Sequence, residues 1–281
     1  MKKGSRLYYI PLTLLALLVW WPLWFMLMGA VQPVDELNAT IGPALGVGTG
    51  QAHWTLLPSW PTLQPLTELL LDTPSFFAMF WNSCLLAFPQ VLGQLLIAAP
   101  AAWAFSRLRF RGKKPLFTLY IVLMLMPFQV TMAPSYLVFS RLGLMDTVWA
   151  VILPGIFSAF PVFIMSKSFD AIPRELLEAA KLDGASQWQI FRRIGLPLGR
   201  PGILAALVLG FLEAWNAIEQ PMNFLKSQNH WPLSLFLPTI TSENLAFAMG
   251  ASLIALAPAA VIFRFGQKYL ELGIQSSGLT Q

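Results

Sequence analysis

Six stretches of apolar sequence, each about as long as a bilayer-crossing helix, divide this chain and leave little room for a soluble architecture. A membrane-spanning helix needs roughly 20 mostly apolar residues, and such runs lie near residues 7–31, 77–105, 116–138, 147–166, 202–225 and 246–265. With 56% hydrophobic and 11% charged residues, the chain is far more apolar than a soluble domain. The expected fold is an all-α membrane protein with six transmembrane helices, residues 1–281 forming one transmembrane domain with both termini cytoplasmic.

The basic residues test that count independently, because cytoplasmic loops are enriched in Lys and Arg. All eighteen except Arg141 and Lys226 fall on segments that alternate crossings place inside. The same distribution removes the nucleic-acid reading that a net charge of +5 invites, since these residues sit between apolar runs and not on one hydrophilic domain. Met1 to Arg6 resemble a basic signal-peptide start, but the following run is too long for one and lacks a small-residue cleavage site, so it reads as a retained first helix. Cys84 is the single cysteine, which excludes an intrachain disulfide and a Cys/His metal site.

Residues 32–75 form the longest outer connection. Rich in Pro, Gly and Thr, they predict an ordered or semi-ordered extracytoplasmic loop and not a separate domain. Prolines 89, 100, 127, 134 and 258 fall inside apolar runs, where membrane bundles tolerate them as kinks. His53 and His230 fall in outer loops and read as surface residues.

The loop at 170–197 carries the most local information. Pro173 suits a helix start, Glu175 suits the positive end of the helix dipole, and Gly184 suits a left-handed helix end, so a helix is expected from about Pro173 to Asp183. Ser186 followed by Gln189 is a capping-box pattern opening a second helix, with Gly195 and Pro197 as its stop. Ala179, Ala180 and Gly184 leave small side chains where another surface can approach. Asp183 places negative charge at a helix C-terminus, against the dipole. Local rule-breaking of this kind is expected at docking sites, the alternative being an ordinary solvated amphipathic loop, which is the commoner form of a charged segment between helices.

The order Glu178-Ala179-Ala180, Gly184, Ile194, Leu196-Pro197 resembles the signature loop of binding-protein-dependent ABC importer permeases at every fixed position. The resemblance continues in Asn82-Ser83, Ala101 to Arg107, Leu142-Gly143-Leu144, Ile172-Pro173 and Trp215-Asn216 with Pro221. It is closest to the carbohydrate-uptake subfamily, the six-helix subunit of the maltose and glycerol-3-phosphate type. Departures are Ala133-Pro134-Ser135-Tyr136 and a tail, Ser276 to Gln281, without the common basic glycine ending.

The resemblance implies that 170–197 is a coupling helix loop seated on a separate ATPase, with Glu178 and Asp183 pairing with its basic groups. It implies a bacterial inner-membrane permease for a sugar or oligosaccharide, paired with a second homologous permease subunit, two ATP-binding subunits and an extracytoplasmic solute-binding protein. The chain itself would be no enzyme and bind no cofactor, ATP and Mg being used by the partner. Consistently, no Gly-x-x-x-x-Gly-Lys-Ser/Thr loop occurs, and Arg107 stands where Gly112-Lys113 would require the first glycine.

For the substrate pathway, Glu213, Asn216, Glu219, Gln220 and Asn223 fall within an arc of about 120° if the fifth helix is continuous. Pro221 is a kink or end within it. A charge at the bilayer centre costs about 2.5–3.5 kcal/mol on insertion scales, so these residues are expected to face a wet cavity or a partner. Asn82, Ser83, Gln90 and Gln94 cluster on the second helix, either as pathway or as interhelical hydrogen bonding. Trp215 reads as packing. The alternatives are a phosphorylated polyol or other small solute as cargo, and an ion-coupled secondary transporter using Glu213 and Glu219. An intramembrane enzyme lacks any visible motif: His-Glu-x-x-His and Gly-x-Ser-x-Gly are both absent from the sequence.

Overall fold

The computed structural model describes residues 5–46, 51–53, 55–236 and 245–276, with side chains described from residue 9 to 272. Lys2, Lys3 and the tail beyond Ser276, which entered the sequence reading, lie outside these residues. Among the described residues every regular element is helical. In chain order these are α1 (Ser5–Ala30), α2 (Val34–Ile41), α3 (Pro74–Arg107), α4 (Lys113–Leu125), α5 (Phe128–Arg141), α6 (Trp149–Ile156) and α7 (Ala159–Asp170). There follow α8 (Arg174–Leu182), α9 (Gln187–Leu198), α10 (Arg200–Trp215), α11 (Glu219–Phe224) and α12 (Leu245–Ser276).

Among the described residues four stretches are long and apolar enough to cross a membrane: Tyr9–Ala30, Pro74–Arg107, Trp149–Asp170 and Leu245–Leu272. Two pairs reach that standard only together and are bent, α4 with α5 by 101° and α9 with α10 by 72°. The α4–α5 bend has a local cause. Met126 precedes Pro127, and the proline ring pushes its predecessor out of the helical region, here to φ −69° and ψ 110°.

The fifth apolar run corrects the sequence reading. A continuous helix over 202–225 was expected, with Pro221 as its weak point. Instead α10 stops at Trp215, and α11 starts at Glu219. Asn216 ends α10, its backbone amide donating to the Leu212 carbonyl at 3.1 Å and its side-chain amide adding a second bond to the same carbonyl at 2.8 Å. Pro221 is the third residue of α11, where a missing N–H removes no intrahelical bond. The 120° arc across Glu213 to Asn223 therefore does not exist as one helix face.

The chain divides into two compact units, Met1–Phe80 with Leu235–Pro258, and Trp81–Ser234 with Ala259–Gln281. In the first, the expected outer loop is ordered over its described part. Trp24 Nε1 donates to the Leu56 carbonyl at 3.1 Å, and the Thr62 amide donates to the Val31 carbonyl at 2.8 Å. The Ser59 amide donates to both Glu36 oxygens, which holds the Glu36 carboxyl below the usual range. Leu37, Leu69 and Phe76 are its fully buried apolar centre. The outer part of α1 is different: Leu18 is 71% and Trp20 66% exposed, leaving an apolar surface that suits lipid or another membrane helix.

In the second unit, Asp146 adopts φ 61° and latches the segment after α11. Its carboxylate accepts from the Lys226 and Ser227 amides at 2.8 Å each and from the Ser227 hydroxyl. These bonds, the Ser227 hydroxyl foremost, pull the Asp146 carboxyl down to about 2. His230, expected at the surface, keeps 43% of its side chain exposed, and its Nδ1 lies 3.7 Å from Asp146 Oδ1. A lowered folded-state value means that the latch is at full strength above the ordinary aspartate range and is lost as pH falls towards 2. Amide exchange at Lys226 and Ser227 should accordingly be protected at neutral pH. Protection should weaken in acid and already be lost at neutral pH in Asp146→Ala, which removes the acceptor of both amides, read by hydrogen-exchange mass spectrometry.

Candidate functional site

Two local signals shape the loop after α7. Pro173, at φ −57° and ψ 137°, precedes α8, which runs one residue inside the expected limits at each end. Its C-terminus is a Schellman motif: the Ala185 amide donates to the Ala180 carbonyl and the Gly184 amide to the Lys181 carbonyl, both at 3.0 Å. Gly184 sits at φ +80°, the left-handed conformation this motif requires. The expected capping box then opens α9, with the Gln189 amide donating to Ser186 Oγ at 3.3 Å and the Ser186 amide to Gln189 Oε1 at 2.8 Å. The expected stop at Gly195 and Pro197 does not occur there. The chain stays helical through a π-turn at Phe191–Gly195 and on to Leu198, and turns only at Gly199.

The inner face of this loop is fixed to the second unit. Leu177, Ile190 and Phe191 belong to one buried cluster with Ala98, Ala102, Trp103, Met165 and Phe169, and Ala180, Ile194 and Leu196 pack against it. Ala180, expected on the contact surface with Ala179, is thus turned inward. The helical period turns Leu177 and Ala180 towards the core and Ala179 and Leu182 away from it, with Leu176, one turn before Ala180, exposed at the edge between them. Glu178, Ala179, Asp183, Gly184 and Pro197 are exposed, and Leu182 is 89% exposed. Sequence reasoning passed over Leu176 and Leu182. Two exposed leucines on so short a polar helix were the available signal.

Arg107, at the end of α3, was also missed as a site residue although it closes the Ala101–Arg107 motif. Its Nε donates to the Phe169 carbonyl at 3.0 Å, and its Nη2 donates to the carbonyls of Phe169 and Ile172. Ser106 Oγ donates to Asp170 at 2.6 Å. Adjacent residues of α3 thereby clamp the end of α7 and the start of the loop.

Three glycines make the α9–α10 joint narrow. A Cβ on Gly195 would fall 2.6 Å from the Trp103 ring, on Gly199 2.3 Å from the Phe169 ring, and on Gly202 2.2 Å from Ser168 Cβ. Ser168 Oγ links the joint to α7 by donating to the Gly199 carbonyl and accepting from the Gly202 amide, both at 3.3 Å.

The sequence profile of the family described as binding-protein-dependent transport system inner membrane component matches residues 94–275, which include this whole loop. The chain belongs to that family. As a binding-protein-dependent inner membrane component it is similar over nearly its full length to the arabinooligosaccharides transport system permease protein AraQ of Bacillus subtilis strain 168. The two are 30% identical, over 97% of this chain and 96% of that protein. The lactose transport system permease protein LacG of Rhizobium radiobacter is 30% identical over 75% of this chain and 81% of its own. Among solved structures, a chain of a bacterial ABC transporter involved in the import of the acidic polysaccharide alginate superposes with a TM-score of 0.80. That match has 20% identity and covers 96% of this chain and 98% of that one, so the fold is shared.

The polar residues of the second and fifth apolar runs of this inner membrane component separate into groups. Asn82 Nδ2 donates to the carbonyls of Asn229 and Trp231 at 2.7 and 3.1 Å, and Ser83 Oγ accepts from the Leu233 amide at 2.8 Å. They hold the 229–233 segment. Gln94, buried, donates to the Gly155 carbonyl at 2.9 Å, and Gln90 is buried close to Gly155. Gln220 donates to the carbonyls of Ala150 and Val151 at 3.3 and 3.2 Å. Trp215 is buried and stacked on Phe211 with centroids 5.6 Å apart. Glu213, Asn216 and Glu219 are exposed, and Glu213 has no side-chain partner among the described residues.

Proposed function

We propose that this chain is one of two membrane-spanning subunits of an ATP-driven importer of neutral sugars or oligosaccharides, and that 170–197 is its joint with a separate ATPase. The observation that carries the proposal is the two-sidedness of α8. One side is locked into the chain by Leu177, Ala180 and the Arg107 clamp, while the exposed remainder of its surface offers Ala179, Leu182 and Asp183, with Leu176 at its edge, to something outside the chain. A mere connector has no reason to expose two leucines on a helix so firmly anchored.

In this reading each bent helix pair counts as one crossing, giving six with the termini and 170–197 on the cytoplasmic side of a bacterial inner membrane, as the basic residues require. A second homologous permease completes the pathway, an extracytoplasmic solute-binding protein delivers cargo, and two ATP-binding subunits handle ATP and Mg. Glu178 and Asp183 pair with basic groups of the ATPase, and its closure moves the helices as rigid bodies. Glu213, Asn216 and Glu219 line the pathway. Full-length similarity to the arabinooligosaccharide permease supports carbohydrate as cargo.

A photoreactive side chain at Ala179 in the assembled complex should capture the ATP-binding subunit, identified by mass spectrometry, whereas one at the inward-facing Ala180 should capture it poorly. Failure to capture from Ala179, or uptake into vesicles by this chain without an ATPase, would remove the coupling role.

A further inference from the structure

We propose that Gln129 and Glu219 form an acid–amide pair that grips hydroxyl groups of the passing carbohydrate; this rests on the importer reading above and adds a site to it. Gln129 Nε2 donates to both oxygens of Glu219, at 2.9 and 3.0 Å, and both residues are exposed on this chain. Each stands just beyond a helix break, Gln129 after the bend at Met126–Pro127 and Glu219 after the gap at Asn216–Ile218.

Their meeting is built by the core beneath them. Phe224 is fully buried and packs edge-on against Phe128, the neighbour of Gln129, and against Phe139, at centroid distances of 6.3 and 5.8 Å. Gln220, next to Glu219, is tied to the carbonyls of α6. α5 and α11 are thus held in register, with the apolar neighbours inside and the pair outside.

Gln129 lies within the α4–α5 span and Glu219 just beyond the end of the α9–α10 span, so the pair stands at the edge of the spanning region, where an exposed carboxylate faces water, cargo or a partner subunit and not lipid tails. A wet surface formed where two helices are interrupted is where membrane transporters place their cargo. The chemistry selects the ligand. The amide uses one N–H on Glu219 and keeps a second N–H and a carbonyl oxygen, while the carboxylate keeps unused lone pairs. Together they present donors and acceptors a few ångströms apart, matching vicinal hydroxyls, each of which both donates and accepts. An anionic cargo would be repelled by Glu219, which selects against a phosphorylated polyol.

The test uses the complete importer in vesicles with saturating binding protein and arabinotriose as probe, measuring sugar moved and ATP hydrolysed together. Glu219→Gln and Gln129→Ala should each lower sugar moved per ATP about tenfold, the scale of losing one hydrogen bond to a charged group, with ATP hydrolysis within about twofold of the unaltered complex. The exchanged double variant Gln129→Glu with Glu219→Gln rebuilds the pair in reverse and should recover most of the loss. If sugar per ATP is unchanged in the single variants, or falls with no recovery in the exchange, the hydroxyl grip is wrong while the importer reading stands. If the unaltered complex moves neither arabinotriose nor any other neutral oligosaccharide, the reading and the pair fall together.

Discussion

Gly184→Trp should abolish ATP-driven uptake, by about a hundredfold or more, while the protein still reaches the membrane in normal amount. The structure separates the two effects. Its two chain neighbours aside, no atom of the described residues lies within 4 Å of a Cβ built at Gly184, so the tryptophan side chain leaves the backbone into open space, and the folding penalty is that of a side chain held at φ +80°. That strain is roughly 1–2 kcal/mol. Outside the chain the same ring would stand beside Asp183 and Leu182 on the surface assigned to the ATPase, and a hundredfold loss corresponds to only about 3 kcal/mol of docking energy. Gly184→Ala is the control: it carries the same backbone strain without the bulk and should retain most uptake. Membrane immunoblots and uptake of labelled sugar check both. Normal uptake by the tryptophan variant at normal abundance would place the docking surface elsewhere.

Arg107→Ala should leave ATP hydrolysis running but disconnect it from transport, cutting uptake tenfold or more. Arg107 is a positioning residue that holds the carbonyls of Phe169 and Ile172 at the point where α7 becomes the loop. Each hydrogen bond to a charged group is worth about 1.5–3 kcal/mol, and removing the donor also takes from the Ile172 carbonyl the partner it has here, while the Phe169 carbonyl keeps the Ile172 amide. Arg107→Lys keeps the charge but loses the fork that reaches two carbonyls, so it should recover only part of the activity. A merely structural defect would lower ATP hydrolysis and uptake together; a ratio of sugar to ATP unchanged from the unaltered complex would contradict the positioning role.

Features governed by short-range chemistry were legible from the sequence. The capping box at Ser186 and Gln189 and the left-handed stop at Gly184 need only a few consecutive residues, and both stand where expected. Pro127 was read as a source of bending, and α4 and α5 part there. Features set by distant partners were not legible. Nothing near Asn82 and Ser83 announces the 229–233 segment, about 150 residues away, that they hold. The break at Asn216 was hidden because the apolar period continues across it, while Pro221, the more conspicuous residue, sits where a proline does no harm. The inward turn of Ala180 was equally hidden, since two adjacent alanines carry no mark of which one meets the core.

The 72° turn at Gly199 has a mechanical consequence. α9 is continuous helix on one arm of the angle and α10 on the other, with Ser168 as a pin through the vertex and two aromatic rings bearing on it. Such a part is a bell crank. A thrust along α9 resolves mostly across the axis of α10 and only slightly along it, so a blow struck at the membrane face would swing the inner rod sideways, which is the direction in which a passage between helices opens or shuts.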